Sequence, residues 1–372
     1  MRVTLLAESM LDYATAFAAA VAPHAEVQLL APERTLGAYR GELPPELGAP
    51  TLGWPRLRSL ANAPFLGRLV GVIRDFRPDL IHVLSQTLTW PALILPLRGA
   101  VPLIETVHDV TPHPGDVETQ RIPPQFMHLL RAQADALIVH REGLRAEAAR
   151  RFSIGEDRIH VIPHLALTRY RRFLPPRAPT DDRFDLLFFG RVYAYKGLEH
   201  LIAAAEHVAD RIPSLRVTIA GAGDDLARCR ALIKRPNLFD IRARYIPADE
   251  TAMLFARSDA VVLPYIEASQ SGVLAMALPF GKPVIASDVG DFRETLTGGP
   301  APAGLLVPPG DPGALAAAIL SLYENPPLRA GLARAGKALA EGPLSAAAIG
   351  AAALRIYRSM RPASKARGAH AA

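Results

Sequence analysis

The sequence runs to 372 residues, half of them hydrophobic and 21% charged, with a net charge of +6. That is the composition of a globular protein, which excludes a disordered chain or a fibre, and the length suits two α/β domains of ordinary size. Its one cysteine, Cys229, excludes an internal disulfide and fits a reducing compartment.

The first residues, MRVTLLAESMLDY, hold a short apolar run that soon meets Glu8 and Asp12, too little for an export signal. The apolar stretch WPALILPL (90–97) is too short for a membrane span and contains two prolines. A soluble, cytoplasmic protein is expected. The basic excess is spread over both halves of the chain, without the concentrated stripe of a nucleic-acid binder, so no nucleic-acid partner is expected. Only the end stands apart: Arg355, Arg358, Arg361, Lys365 and Arg367 follow one another with no acid between them. They suit a solvated tail or a peripheral contact with the anionic inner face of a membrane.

Short apolar runs alternate with helical segments along the chain. In the first half the runs are Val3–Ala7, Val27–Ala31, Leu80–Leu84, Leu103–Val107, Ala136–Val139 and Ile159–Ile162. PPRAPTDDR (175–183) reads as a linker. The runs then resume at Leu186–Phe189, Val217–Ala220, Ile241–Ile246, Ala260–Leu263, Val284–Ala286 and Leu305–Val307. Continuous apolar runs separated by helices imply parallel strands covered on both faces. Between two of them, Leu198, Leu201, Ile202, Ala205 and Val208 recur at helical spacing, with Glu199 and Glu206 outside the stripe. The expected architecture is α/β, with doubly wound domains at 1–175 and 184–345 and a helix with a basic tail at 346–372.

Ligands of such sheets bind beyond the carboxyl ends of the strands. There the second domain places Gly190, Arg191 and Lys196, a pair of cations between a strand and a helix start, suited to an anion. Two exposed surface cations would look the same. The turn AGAGDD (220–225), with Gly221, permits a close backbone approach or is simply tight. It is not a dinucleotide fingerprint, because Leu226 stands at the third glycine position. Farther on, Glu267 lies on a loop, and Ser271, Gly272 and Val273 open an apolar helix whose free N–H groups suit phosphate oxygens. An ordinary capping loop is the other reading. His108 sits at a strand end in ETVHDV, where a structural histidine is common.

The ordered set F-G-R-x4-K-G, G-A-G-D, P-Y-x-E…S-G-V-L…G-K-P-V-I-A-S-D-V-G and G-L-L-V-P-P-G-D resembles glycosyltransferase family 4 over 184–325. The first half resembles it more loosely, through L-I-H-V, E-T-V-H-D-V and A-D-A-L-I-V-H. The resemblance implies the GT-B architecture, two Rossmann-like domains facing across a cleft. It also implies a retaining hexosyltransferase without metal or other cofactor, using a nucleotide-diphosphate sugar as donor. A glycan or lipid-linked acceptor, in polysaccharide or glycolipid synthesis, would be its partner. On this reading Gly190, Arg191, Lys196 and Gly221 meet the donor, with Arg191 and Lys196 on the diphosphate. Ser271, Gly272 and Val273 add backbone donors, and the segment 244–247, with Tyr245 and Ile246, meets the nucleobase. His108 matches a histidine near the transferred sugar, and Glu267 stands in for the first of two glutamates.

The second glutamate is absent, its position falling on Ala275 or Met276. A glycine pair near the N-terminus is also absent, LLAESMLDY standing in its place. These departures keep two rivals open: a nucleotide-sugar epimerase of the same fold, and a non-catalytic sugar-nucleotide-binding homologue.

Overall fold

The computed structural model describes residues 1–55, 59–85, 101–111, 131, 133–175 and 182–360. The apolar stretch 90–97, most of the linker 175–183, and Arg361, Lys365 and Arg367 of the tail lie outside the described residues. Two compact units emerge. Among the described residues, the first takes Met1–Val110, the stretch from 131 up to Pro163 and the chain from Ala346; the second takes Thr111 and His164–Ser345.

The first unit is a parallel sheet of β1 (Arg2–Leu6), β2 (Glu26–Leu30), β3 (Leu80–Val83), β4 (Leu103–Thr106), β5 (Ala136–Val139) and β6 (Ile159–Val161). Their spatial order is β2-β1-β3-β4-β5-β6. Helices α1 (Leu11–Val21), α2 (Asn62–Phe76) and α3 (Gly143–Phe152) belong to the same unit. One hydrophobic cluster joins Leu6, Leu30, Ile81 and Val83 to Phe65, Leu69 and Ile73 of α2. Another joins Leu137 and Val139 to Leu144, Ala148 and Phe152 of α3. Strands buried on both faces are what the unbroken apolar runs encode.

The second unit repeats the plan with β7 (Phe184–Phe189), β8 (Leu215–Ala220), β9 (Phe239–Arg242), β10 (Ala260–Leu263), β11 (Val284–Ser287) and β12 (Gly304–Val307), in the order β12-β11-β10-β7-β8-β9. Helix α4 (Leu198–Val208) buries the expected stripe of Leu198, Leu201, Ile202, Ala205 and Val208. It is followed by α5 (Leu226–Ala231), α6 (Ala248–Arg257), α7 (Gly272–Ala277), α8 (Phe292–Thr297), α9 (Pro312–Glu324) and α10 (Pro326–Glu341). One strand departs from expectation. The run Ile241–Ile246 is not the strand, which ends at Arg242, where the Arg242 carbonyl accepts from Gly221 and from Arg244 N–H. β9 is an edge strand half-buried along its whole length, so an apolar run marks it poorly. Arg242 and Arg244 are instead drawn to Glu250 at the start of α6.

Helix α11 (Ala346–Ser359) returns to the first unit and packs on α1, so closely that a Cβ on Gly350 would lie 2.0 Å from the Ala20 carbonyl oxygen. Arg355 and Arg358 lie on this helix. Its Tyr357 hydroxyl meets His82 Nδ1 at 2.6 Å, and His82 Nε2 meets Thr106 Oγ1 at 2.8 Å. Both ring nitrogens are thus engaged inside the core, and burial pushes the His82 imidazole down to about 3. No single helix among the described residues is long and apolar enough to cross a membrane.

A pH effect follows. Between its unfolded value near 6.5 and about 3, His82 takes a proton in the unfolded chain that the folded protein refuses. Its contribution to stability is therefore complete above about pH 6.5 and is lost as the pH falls, by up to about 1.4 kcal/mol per pH unit. Thermal melts at pH 7 and pH 5 should show a smaller acid-induced drop for His82→Gln than for the parent. Equal drops would exclude His82 as a source.

Candidate active site

In the second sheet the winding reverses between β7 and β10, which pair side by side through Ala260↔Leu186 and Val261↔Leu187. The crevice beyond such a reversal is where open α/β sheets bind ligands. The loops that border it are the one after β7, carrying Gly190 to Gly197, and the one after β10, carrying Pro264 to Ser271. They are tied together. Ile266 N–H donates to the Tyr195 carbonyl (2.8 Å), and a Cβ on Gly197 would lie 2.0 Å from the Pro264 carbonyl oxygen. Only a glycine, at φ 64°, lets the two loops approach so closely.

Lys196 ends the short 3-10 turn Ala194–Lys196, with its Nζ 3.7 Å from the ring centroid of Tyr265 and 4.9 Å from that of Tyr195. The Arg191 guanidinium stands 5.1 Å from the Tyr193 centroid and acts electrostatically on the Tyr265 hydroxyl. The structure therefore brings the two expected cations to one strand end, around a buried tyrosine. Burial pushes that phenol up to about 12, against opposing pulls from Ser271 and Arg191.

Ser271 caps α7. Its Oγ accepts from Leu274 N–H (3.3 Å) and its carbonyl from Ala275 N–H (3.1 Å). The N–H groups of Gly272 and Val273, in the first turn, have no acceptor among the described residues. A Cβ on Gly272 would meet nothing within 4 Å, and the nearest atom to one on Gly190 would be Val273 Cγ2, at 3.5 Å. Gly190, Ser271, Gly272 and Val273 are thus neighbours beside the cations, with no described atom within 4 Å of a Cβ on Gly272.

Glu267 is half-buried on the loop between Tyr265 and Ser271. Ala275 and Met276 are only 5% and 6% exposed, and the Ala275 carbonyl accepts from Leu167 N–H. Both candidate positions for the missing glutamate are core positions here, where a carboxylate would be desolvated. The segment 244–247 is a loop beyond β9, with the Tyr245 ring 85% exposed and Ile246 buried beneath the surface. The glycines of AGAGDD have another use than the one expected of them. A Cβ on Gly221 would strike the Gly190 carbonyl oxygen at 1.8 Å, so the room they leave is filled by the neighbouring loop.

His108 lies in the first unit, 1% exposed. Its Nε2 meets the Leu84 carbonyl (2.8 Å), and its Nδ1 meets His140 Nε2 (3.0 Å), while His140 Nδ1 meets the Ile162 carbonyl (2.9 Å). Two carbonyls and one shared N···N contact need three N–H protons, one more than two neutral imidazoles carry. Satisfying all three would leave a positive charge on the pair, and burial pushes the His108 imidazole the other way, toward the neutral form. Among the described residues, Glu199, Asp225 and Cys229 are close enough to share a cation. Arg228 already serves them: it grips both Asp225 oxygens and reaches Glu199 at 3.2 Å, and burial pushes the thiol up to about 12.

Sequence reasoning missed Tyr265. It stood in the quoted P-Y-x-E, but nothing in a linear pattern shows that a ring after β10 lies beneath a lysine after β7.

Two cations, and helix-start N–H groups without an acceptor among the described residues, thus stand at the switch point of a doubly wound α/β sheet, the place where such sheets take ligands. Residues 183–325 match the family model described as glycosyl transferases group 1, and residues 9–164 that of the glycosyl transferase 4-like domain. The chain belongs to the GT-B glycosyltransferases of the family 4 type, with two Rossmann-like domains.

Among its relatives is the glycogen synthase of Mycobacterium tuberculosis, 27% identical over 279 residues, which cover 72% of this chain and 66% of that protein. The chain thus spans just under two thirds of that relative's length. The fold matches the crystal structure of a glycosyltransferase from Rickettsia africae, with a TM-score of 0.73 and 17% identity over 96% of this chain and 98% of that one. It also matches Anabaena HepE in complex with UDP and glucose, with a TM-score of 0.72 and 16% identity over 97% and 100% of the two chains.

Proposed function

We propose that the chain is a metal-independent, retaining glycosyltransferase that moves a sugar from a nucleotide-diphosphate sugar to a glycan or lipid-linked acceptor of the cell surface. The observation that carries this reading is the placement of Arg191 and Lys196 near the α7 start, at the switch point of the second sheet. Cleavage of the bond between sugar and phosphate leaves its electron pair on the phosphate oxygen. Fixed cations and N–H groups aimed at that oxygen stabilise the charge as it develops. The sugar passes through an oxocarbenium-like state, and the acceptor hydroxyl enters from the face the phosphate leaves. Arg191 and Lys196 grip the diphosphate, Gly190, Gly272 and Val273 line it, and Tyr245 and Ile246 meet the base. Glu267 receives hydroxyls of the sugar. His108 serves the transferred sugar, and the basic residues from Arg355 onward touch an anionic membrane surface. A relative whose structure holds UDP and glucose supports a nucleotide sugar as donor.

The test has two stages. Thermal shifts with UDP-, GDP-, ADP- and dTDP-sugars should find a donor that raises the melting point. With that donor, free nucleoside diphosphate should then accumulate only when an acceptor from a glycan and lipid panel is present. An altered sugar formed without any acceptor would indicate an epimerase. Binding with no transfer to any acceptor would indicate a non-catalytic homologue.

A further inference from the structure

We propose that Tyr265 is a positioning residue, its ring seating the Lys196 ammonium while its hydroxyl, at hydrogen-bond distance from Ser271 Oγ, holds the serine that caps α7. The inference rests on the reading of Lys196 and the α7 start as the diphosphate site.

The ring comes first. Tyr265 is 1% exposed, packed between Tyr195 (centroids 6.4 Å apart) and Phe292 (5.4 Å), so its plane is fixed. Lys196 Nζ lies 3.7 Å from its centroid, well inside the range where a ring face attracts a cation. A lysine side chain is long and flexible, and a ligand that had to order it would bind correspondingly less tightly. The ring orders it beforehand.

The hydroxyl comes second. Tyr265 Oη lies 3.3 Å from Ser271 Oγ, which already accepts from Leu274 N–H. A serine oxygen has two lone pairs. With one taken by Leu274 N–H, the other lone pair and the O–H remain for the contact with the phenol, which holds the capping serine in place. One side chain from the loop after β10 thereby sets both a cation from the loop after β7 and the cap of the following helix.

The experiment compares Tyr265→Phe, Tyr265→Leu, Lys196→Ala and the Tyr265→Leu/Lys196→Ala double variant. Affinity for UDP, GDP, ADP and dTDP is measured by calorimetry, steady-state kinetics with the accepted donor are recorded, and melting points confirm folding. Tyr265→Phe keeps the seat and loses only the phenol, and should bind the preferred diphosphate about threefold to tenfold more weakly. Tyr265→Leu should bind it at least thirtyfold more weakly and raise the donor KM without changing the acceptor KM. The double variant should bind no worse than Lys196→Ala alone, because the ring acts through that lysine.

Losses that multiply in the double variant would overturn the proposal, as would equal losses in Phe and Leu. If Tyr265→Leu proves unfolded, the Phe variant together with Ser271→Ala decides. Ser271→Ala, which also loses the cap to Leu274 N–H, should lose at least as much as the Phe variant, with no further loss when the two are combined, and losses that multiply would overturn the Ser271 part. Should Lys196→Ala itself bind every diphosphate normally, the diphosphate reading fails. If Lys196→Ala weakens binding and Tyr265→Leu does not, the inference about Tyr265 fails alone.

Discussion

Replacing Lys196 by alanine should lower sugar transfer by about a hundredfold to a thousandfold, the usual cost of losing one fixed group that stabilises transition-state charge. The fold should be unchanged. Lys196 closes a 3-10 turn whose hydrogen bonds are made by backbone, Lys196 N–H to the Tyr193 carbonyl and Gly197 N–H to the Ala194 carbonyl. Its side chain touches the Tyr265 ring, which remains packed on Phe292, and the Tyr195 ring, which remains packed on Tyr265. The melting point should therefore stay within about 2 °C of the parent.

Because the lysine acts on charge that grows as the phosphate leaves, kcat should fall more than donor affinity. Arginine should restore little. A planar guanidinium on a longer stem does not place a point charge over the Tyr265 ring at the same depth. Steady-state kinetics with the accepted donor check the claim. A folded Lys196→Ala protein with near-normal turnover would remove the basis of the proposed function.

How much of this was legible in the sequence depends on how local each signal is. Eleven of the twelve described strands fall on the expected apolar runs, since a strand covered on both faces is mostly apolar along its length. The exception, β9, lies at the sheet edge and is half-solvated, so Phe239 and Asp240 gave it no hydrophobic signature and Ile246 displaced the reading. Arg191, Lys196 and the Ser271 turn were legible because each sits in a short motif at a strand end.

What joins them was not legible. β7 and β10 become neighbours only through the crossover of the sheet, so the ring of Tyr265 beneath Lys196 is a product of topology. The same holds for Tyr357, whose hydroxyl reaches His82 from 275 residues away. His108 shows the reverse case. Its strand-end place was readable, but its pairing with His140 required β4 and β5 to lie side by side.

The strand-end loops also set a steep packing limit, and Gly221→Ala should expose it. Gly221 has φ 144°, outside the region a side chain tolerates, and its added Cβ would lie 1.8 Å from the carbonyl oxygen of Gly190 and 2.8 Å from the carbonyl carbon. Both neighbours are backbone, and neither is free to yield. Gly190 N–H donates to the Ala220 carbonyl (2.9 Å), Gly221 N–H to the Arg242 carbonyl (3.0 Å), and Val192 N–H to the Ala222 carbonyl (3.0 Å). Moving either chain breaks the bonds that tie β7, β8 and β9 at their carboxyl ends.

Strain and overpacking together should cost about 3 kcal/mol or more, lowering the melting point of the second unit by roughly 6 to 12 °C. Diphosphate binding should weaken as well, since Gly190 and Arg191 would have to shift with the loop. Gly331→Ala is the control: it lies in α10 with no atom within 4 Å of its added Cβ, and should be neutral or stabilising by about 0.5 to 1 kcal/mol. Paired melts and calorimetry of the two variants, with and without a bound diphosphate, decide the matter. A Gly221→Ala protein as stable as Gly331→Ala would mean that the loops after β7 and β8 are not locked together, and that the cations they carry are not held in advance of the ligand.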